Sequence, residues 1–266
     1  MGCALLALTL AAIAHAQSAA PSHAKVELIA DEPAPSKTTT WAGLLFRLEP
    51  GWHIYWQNAG DSGTPPKVAW QLPAGYRAGA IRWPQPMRLG SGSVIDYGYE
   101  DQVLLMVPIE HAGNSTMAAA VPIAADVKYV VCREVCIPGK AHLTLSLPAA
   151  GGDPPAEASE WHALFQSTRA QLPKAAPASW KVSAKQDKDH FMLTVRDTPE
   201  VKIASFFPLE ADQIENSAGQ VFADSQTGFE LTLKKSEQLA KPISTLRGLL
   251  VLGPGRAFEI AAPIAP

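Results

Sequence analysis

Cysteine is scarce in this chain. There are three in 266 residues, and Cys3 stands far from the close pair Cys132 and Cys136. No Cys-x-x-Cys spacing occurs, so a thioredoxin-type motif is absent and covalent c-type haem attachment is excluded. No second cysteine pair exists, which argues against a closed zinc site. A basic excess is missing too. The formal net charge is −3, and phosphate binding needs a basic face, so nucleic acid is not an expected partner. Beyond Gln17 no apolar run approaches the ~18 residues a membrane helix needs. The mature chain is therefore expected to be soluble, with no membrane insertion. Charged residues are only 18% against 47% hydrophobic, a balance that buries a core and argues against disorder.

What is abundant is punctuation. Twenty-three prolines and 19 glycines break up short β-branched and aromatic runs, the pattern of an all-β chain with many turns. Residues 1–16 read as a signal peptide: an apolar core too short to span a bilayer, then Ala14-His15-Ala16, which fits the small-x-small cleavage rule. No basic residue precedes that core, so the start of the precursor is expected upstream. Cys3 lacks lipobox-like residues before it and is not a lipoprotein acceptor. Export would put the cysteine pair where disulfides persist.

Strand-like runs follow at Val26–Ile29, Thr39–Leu48, Trp52–Gln57, Lys67–Leu72, Tyr76–Trp83, Val103–Ile109, Met117–Ile123, Val127–Val131 and His142–Leu147. Over residues 25–148 they predict a β-sandwich. Thr40–Leu48 partly alternates, as a half-buried strand would. Asn58–Pro66 and Pro84–Gly98 read as loops. Residues 149–177 form a linker. Within it Ala156–Leu172 lacks proline and glycine, and Trp161, Leu164, Phe165, Thr168 and Leu172 recur at helical spacing, predicting one amphipathic helix packed on a neighbour. Residues 178–266 return to short strands, at Trp180–Ala184, Phe191–Val195, Ile203–Phe207, Val221–Ala223, Phe229–Leu233, Leu249–Leu252 and Phe258–Ala261. They predict a second, smaller sandwich, with turns at Asp187–Asp189 and Ser217–Gln220.

The pair sits in Val127–Gly139. Fully extended, Cys132 and Cys136 would lie roughly 13 Å apart, beyond the reach of a disulfide, so a turn must fold them together. A loop that small gains little from loop-closure entropy, and short-loop disulfides are more often exchangeable. Arg133 would favour a thiolate at either neighbour and Glu134 would oppose it. On spacing alone three readings stay open: an exchanging dithiol, a structural disulfide, or part of a soft-metal site in which His142 joins Cys132 and Cys136 to hold Cu(I).

Two other stretches invite chemistry. Gly60-Asp61-Ser62-Gly63 has the letters of a serine-protease nucleophile loop. Such catalysis needs a histidine base and an orienting carboxylate. None of His15, His23, His53, His111, His142, His162 and His190 has that family's context, so the stretch reads as a turn in which Asp61 caps backbone NH groups. Asp96-Tyr97-Gly98-Tyr99-Glu100 reads as a loop near enough to cover the cysteines, or as a plain surface turn. The aromatic residues Trp52, Tyr55, Trp56, Trp70, Trp83, Tyr97, Tyr99 and Tyr129 are expected to supply sandwich core for the most part.

Three ordered segments resemble the periplasmic N-terminal region of the DsbD/ScsB thiol-disulfide reductases, closer to the ScsB-like branch. They are Gly51-Trp52-His53-Ile54-Tyr55-Trp56-Gln57-Asn58-Ala59-Gly60-Asp61-Ser62-Gly63, Tyr97-Gly98-Tyr99-Glu100 before Val103-Leu104-Leu105, and Tyr129-Val130-Val131-Cys132-Arg133-Glu134-Val135-Cys136-Ile137-Pro138. The resemblance implies immunoglobulin-like sandwiches and an exchanging Cys132/Cys136 pair, with Cys136 forming the mixed disulfide. It implies a cap from Asp96, Tyr97, Tyr99 and Glu100, and no cofactor. The implied partners are a membrane electron-donor domain or thioredoxin-like protein upstream. Downstream are periplasmic disulfide-containing proteins: isomerases, ScsC-like proteins, and those of cytochrome maturation or copper tolerance. The better known DsbD branch spaces its cysteines more widely. This chain contains neither the membrane domain nor a Cys-x-x-Cys domain, so its reductant is expected from elsewhere.

Overall fold

A computed structural model describes residues 23–31, 39–111, 121–147 and 159–265. The expectations for residues 1–16, for Cys3 and for the first residues of the helix lie outside them. The strands are β1 (Ala24–Ala30), β2 (Thr39–Leu48), β3 (His53–Gly60), β4 (Lys67–Gln71), β5 (Tyr76–Ala78), β6 (Met87–Ser91), β7 (Val94–Glu100), β8 (Gln102–His111), β9 (Val121–Cys132) and β10 (Cys136–Leu147). After helix α1 (His162–Gln171) come β11 (Lys174–Ala175), β12 (Lys181–Gln186), β13 (His190–Arg196), β14 (Ser205–Pro208), β15 (Val221–Ser225), β16 (Gly228–Lys234), β17 (Thr245–Val251) and β18 (Ala257–Pro263).

The first half packs two sheets face to face, ordered β1-β2-β8-β5 and β10-β9-β3-β7-β6, with β4 also pairing β9. Their shared core takes Leu44 and Phe46 from β2, Leu105 and Val107 from β8, Ile54 and Trp56 from β3, and Val127 and Tyr129 from β9. The intervening residues Leu45, Leu104 and Met106 face the other way and pack with Ile29 and Phe165 of α1. So β2 is not half-buried as its partial alternation predicts. Helix α1 covers the outer face, and a strand buried on both faces carries a nearly continuous apolar run. Asp31 fastens the helix: it is buried, accepts from the Arg169 guanidinium, and lies 2.9 Å from His162 Nδ1.

The second half also packs two sheets, β11-β18-β17-β14 and β12-β13-β16-β15. Alternation is clean in β13 and β16, which send Phe191, Leu193, Val195, Phe229, Leu231 and Leu233 inward. In β14 and β17 the alternate residues bury too. Phe206 and Leu250 enter this core, while Phe207, Leu249 and Val251 enter the core of the first half. The architecture is thus two β-sandwiches, one helix among the described residues, and a hydrophobic junction between the sandwiches.

Some expectations are corrected. Pro84–Gly98 is not irregular throughout: it holds the β6–β7 hairpin. Ser217–Gln220 is not a hairpin turn, since β14 and β15 lie in different sheets. The Asp187–Asp189 turn does form, with Asp187 Oδ1 accepting from the amides of Asp189 and His190 at 2.8 and 2.7 Å.

Candidate functional site

Strands β9 and β10 are an antiparallel hairpin in register from Val121↔Leu147 to Cys132↔Cys136. The pair occupies its last cross-strand position, and Arg133-Glu134-Val135 make the tip. This is the turn that spacing demanded: the two Cα atoms lie 4.2 Å apart and the sulfurs are bonded. That separation is near the roughly 4.5 Å of a narrow antiparallel pair. The two sulfurs differ in access. Cys132 pairs with His53 of β3 and is 3% exposed. Cys136 is exposed, beside Val135, which is 62% exposed. Arg133 stacks on an aromatic side chain. Its guanidinium lies 5.5 Å from the centroid of Trp52, whose other stacking partner is His23 at 3.8 Å.

Period two places His53 and Tyr55 on one face of β3. Tyr55 Oη lies 3.5 Å from Cys136 Sγ and 3.1 Å from Ser62 Oγ. Ser62 is bound to Asp96 twice, through its amide at 2.9 Å and its hydroxyl at 2.8 Å. A carboxylate only accepts, so the Ser62 proton is committed to Asp96, and Ser62 Oγ must accept from Tyr55. A disulfide sulfur carries no proton either. The Tyr55 hydroxyl therefore has one proton and two acceptors in reach, Ser62 Oγ and Cys136 Sγ. Burial, countered by the Ser62 bond and reinforced by the Asp96 charge, raises its pKa, so it keeps that proton. Burial also pushes Asp96 up, but the His53 ring and the Ser62 hydroxyl and amide outweigh it, and its carboxyl titrates below the ordinary value. His53 Nε2 lies 3.5 Å from Asp96 Oδ2.

The glycines of Gly60-Asp61-Ser62-Gly63 have steric reasons. Gly63 has φ +61°, and a Cβ there would sit 2.0 Å from Tyr55 Cζ. The turn brings its backbone against the phenol that touches the sulfur. Asp61 caps as expected, accepting from Ile95 N at 2.7 Å. No protease arrangement results. Asp96 stands between Ser62 and His53, so Ser62 faces an acceptor rather than a histidine base.

The stretch expected to form a cap is strand β7 instead. Tyr97 is fully buried and donates to Asn216 Oδ1 at 2.8 Å; Tyr99 is buried and donates to the Pro84 carbonyl at 2.8 Å. Gly98 is needed because its Cβ would lie 2.1 Å from the Ile54 carbonyl oxygen. Glu100 is at the strand end, opposite His53. Of the four residues, Asp96 joins the surroundings of the pair through Ser62, and the two tyrosines point into core. The Cu(I) alternative is corrected as well. His142 is six residues up β10 from Cys136, roughly 20 Å along an extended strand, and its Nδ1 is 2.7 Å from Asp126. No group of three metal-type ligands occurs among the described residues. The residues that reading missed are Tyr55 as the sulfur's neighbour, Ser62 and Asn216. The alternation of β3 was the available signal for Tyr55; nothing local marks Asn216.

Comparison with known proteins bears on these segments. Residues 25–148 match the family model "Thiol:disulfide interchange protein DsbD, N-terminal". No curated protein matches the chain. Among solved structures, the N-terminal periplasmic domain of ScsB from Proteus mirabilis superposes with a TM-score of 0.69 at 17% identity, covering 92% of this chain and 94% of that one. The periplasmic chaperone SfaE aligns with a TM-score of 0.23 at 8% identity, over 90% of this chain and 98% of that one. A score that low carries no argument.

Proposed function

Residues 25–148 belong to the DsbD N-terminal family, and from that premise we propose that this periplasmic protein relays electrons by thiol-disulfide exchange through Cys132 and Cys136. The observation that carries the reading is the asymmetry of the pair: Cys136 is exposed with the Tyr55 hydroxyl beside it, and Cys132 is buried. In the reduced protein the Cys136 thiolate attacks a disulfide of a periplasmic partner. The partner's S–S bond breaks, one partner sulfur leaves as a thiolate and takes a proton, and a mixed disulfide forms. Cys132 then attacks Cys136 Sγ and releases the second partner thiolate. Two electrons and two protons reach the partner, and the Cys132–Cys136 disulfide is restored. A dithiol of a membrane reductase or thioredoxin-like donor reduces it again. Tyr55 donates to the Cys136 thiolate, and Asp96, through Ser62, orients that donor. The same reading divides the chain into an immunoglobulin-like redox sandwich at 25–148, a helical linker at 149–177 and a smaller sandwich at 178–266. No helix among the described residues is long and apolar enough to cross a membrane.

Alkylation mass shifts across a glutathione redox titration test the relay. An exchangeable pair titrates within the glutathione range; a potential far below about −300 mV marks a structural bond and overturns the proposal. The order of attack is tested by trapping. Cys132→Ser is expected to accumulate mixed disulfides at Cys136, and Cys136→Ser few.

A further inference from the structure

Asn216 lies between β14 and β15, in the second half of the chain, and is buried. Its polar atoms are held by the first half. Nδ2 donates to Asp61 Oδ1 at 2.7 Å, Oδ1 accepts from Tyr97 Oη at 2.8 Å, and the backbone carbonyl accepts from the Arg88 guanidinium. Asp61 is tied to β7 by Ile95, through its carboxylate at 2.7 Å and its amide at 3.0 Å. The next residue is Ser62, which accepts from Tyr55 and donates twice to Asp96. A continuous path of hydrogen bonds and one peptide unit thus runs from the second sandwich to Cys136.

We propose that Asn216 is a positioning residue for the exchange chemistry of Cys136, holding the Asp61–Ser62 turn so that Ser62 anchors the Tyr55 hydroxyl and keeps both its donors on Asp96. This rests on reading Cys136 as the exchanging sulfur. The turn needs an external hold. It is bounded by two glycines at positive φ, Gly60 at +86° and Gly63 at +61°, and glycine is costly to order. A cavity of about 550 Å³ opens beside Asp61 and Asn216, lined also by Lys234, Ser236 and Gln238. Solvent can enter a polar space of that size, so loss of the amide loosens the turn and leaves the core packed. The titratable and charged groups around Cys136 are Tyr55 from β3, Asp96 of β7 with His53 behind it, and Arg133 and Glu134 on its own turn. Arg133 is held over Trp52. A loosened turn removes the anchor of Tyr55 and two donors from Asp96. A poorly aimed donor and a carboxylate less screened by hydrogen bonds both disfavour the thiolate.

The test is the pH dependence of Cys136 alkylation by iodoacetamide in the reduced full chain, resolved by peptide mass. Asn216→Ala is expected to move the midpoint up by about half to one pH unit, roughly a three- to tenfold slower reaction at neutral pH, with the high-pH plateau unchanged. Ser62→Ala should shift it the same way, and Asn216→Ala/Ser62→Ala no further than Ser62→Ala alone, because both act through one link. An unmoved midpoint, or shifts that add, overturns the proposal. So does a raised plateau with exposure of Cys132 and no midpoint shift, which is what a merely structural residue would produce. If Asn216→Ala does not fold, Asn216→Leu keeps the volume without the amide, and its midpoint decides by the same criterion. A moved midpoint with a non-exchanging pair would leave Asn216 in place and sink the relay; an exchanging pair with an unmoved midpoint does the reverse.

Discussion

Tyr55 carries one proton and faces two acceptors. While the pair is oxidised, Ser62 Oγ is the better acceptor, since a disulfide sulfur accepts weakly. Once Cys136 becomes a thiolate, the same proton has a charged acceptor within reach, and bonds to charged groups are the strong ones. Tyr55→Phe removes the donor and keeps the ring. It is expected to slow alkylation of reduced Cys136 at neutral pH several-fold and to change stability by only about 1 kcal/mol, measured as a pH profile beside a urea melt. Asp96 sets a pH dependence of its own. Its folded pKa lies below the ordinary 3.8, so its contribution to stability is complete above about pH 4 and is lost as pH falls through the folded value. The stability gap between wild type and Asp96→Asn should be about 1–3 kcal/mol at pH 6 and should narrow as pH falls through the folded value. A gap that is constant with pH would show that the carboxylate is not held as described.

At the scale of elements, the site is a meeting of one hairpin tip, one strand face and one glycine turn. The turn is the sensitive part. Gly63 and Gly75 both have positive φ, but a Cβ at Gly75 meets nothing within 4 Å, whereas one at Gly63 enters the Tyr55 ring. Gly75→Ala is expected to cost about 1–2 kcal/mol, the backbone penalty by itself. Gly63→Ala should cost distinctly more and also change Cys136 reactivity, because Tyr55 must move. Equal urea midpoints for the two variants would contradict the packing. The same scale explains which strands were legible. Thr39–Leu48 stood out because an apolar run that long has few alternatives, and β2 has the expected bounds. β6 and β7 were hidden, since Pro84-Gln85-Pro86 and Gly90-Ser91-Gly92-Ser93 carry turn residues on both sides of little apolar sequence. What makes β7 a strand is a partner that no local window contains: β3, whose Ile54 carbonyl lies so close that Gly98 fits where a side chain would not.

The two sandwiches share apolar core at their junction. Phe207 of β14 turns its ring to pack among Trp56 and Tyr97, at centroid distances of 6.4 and 5.1 Å. Asn58 Nδ2 donates to the Pro208 carbonyl at 2.8 Å beside it. Phe207→Ala is expected to cost about 3–5 kcal/mol and to split a joint unfolding transition into two in calorimetry, as the halves lose their shared core. A single undisturbed transition would mean the junction contributes little. Helix α1 packs on the first sandwich, where Phe165 fills the outer face of β2 and β8.

The sequence by itself determined the all-β class, the two successive strand sets, the helix between them and the cysteine pair. Those features rest on local period, punctuation and spacing, which a single chain displays. It also held the run from Gly51 to Gly63, whose meaning is steric. Tertiary structure decided which sulfur is reachable, that Asp96 and not the neighbouring tyrosines binds the serine beside Tyr55, that His142 is too far from Cys136 to join it, and that Asn216 stands behind Ser62. Each of these depends on contacts between residues far apart in the chain, from Tyr55 to Cys136 and from Asp61 to Asn216. Such contacts leave no periodic trace, because they are fixed only when separate sheets pack and buried donors are matched to acceptors.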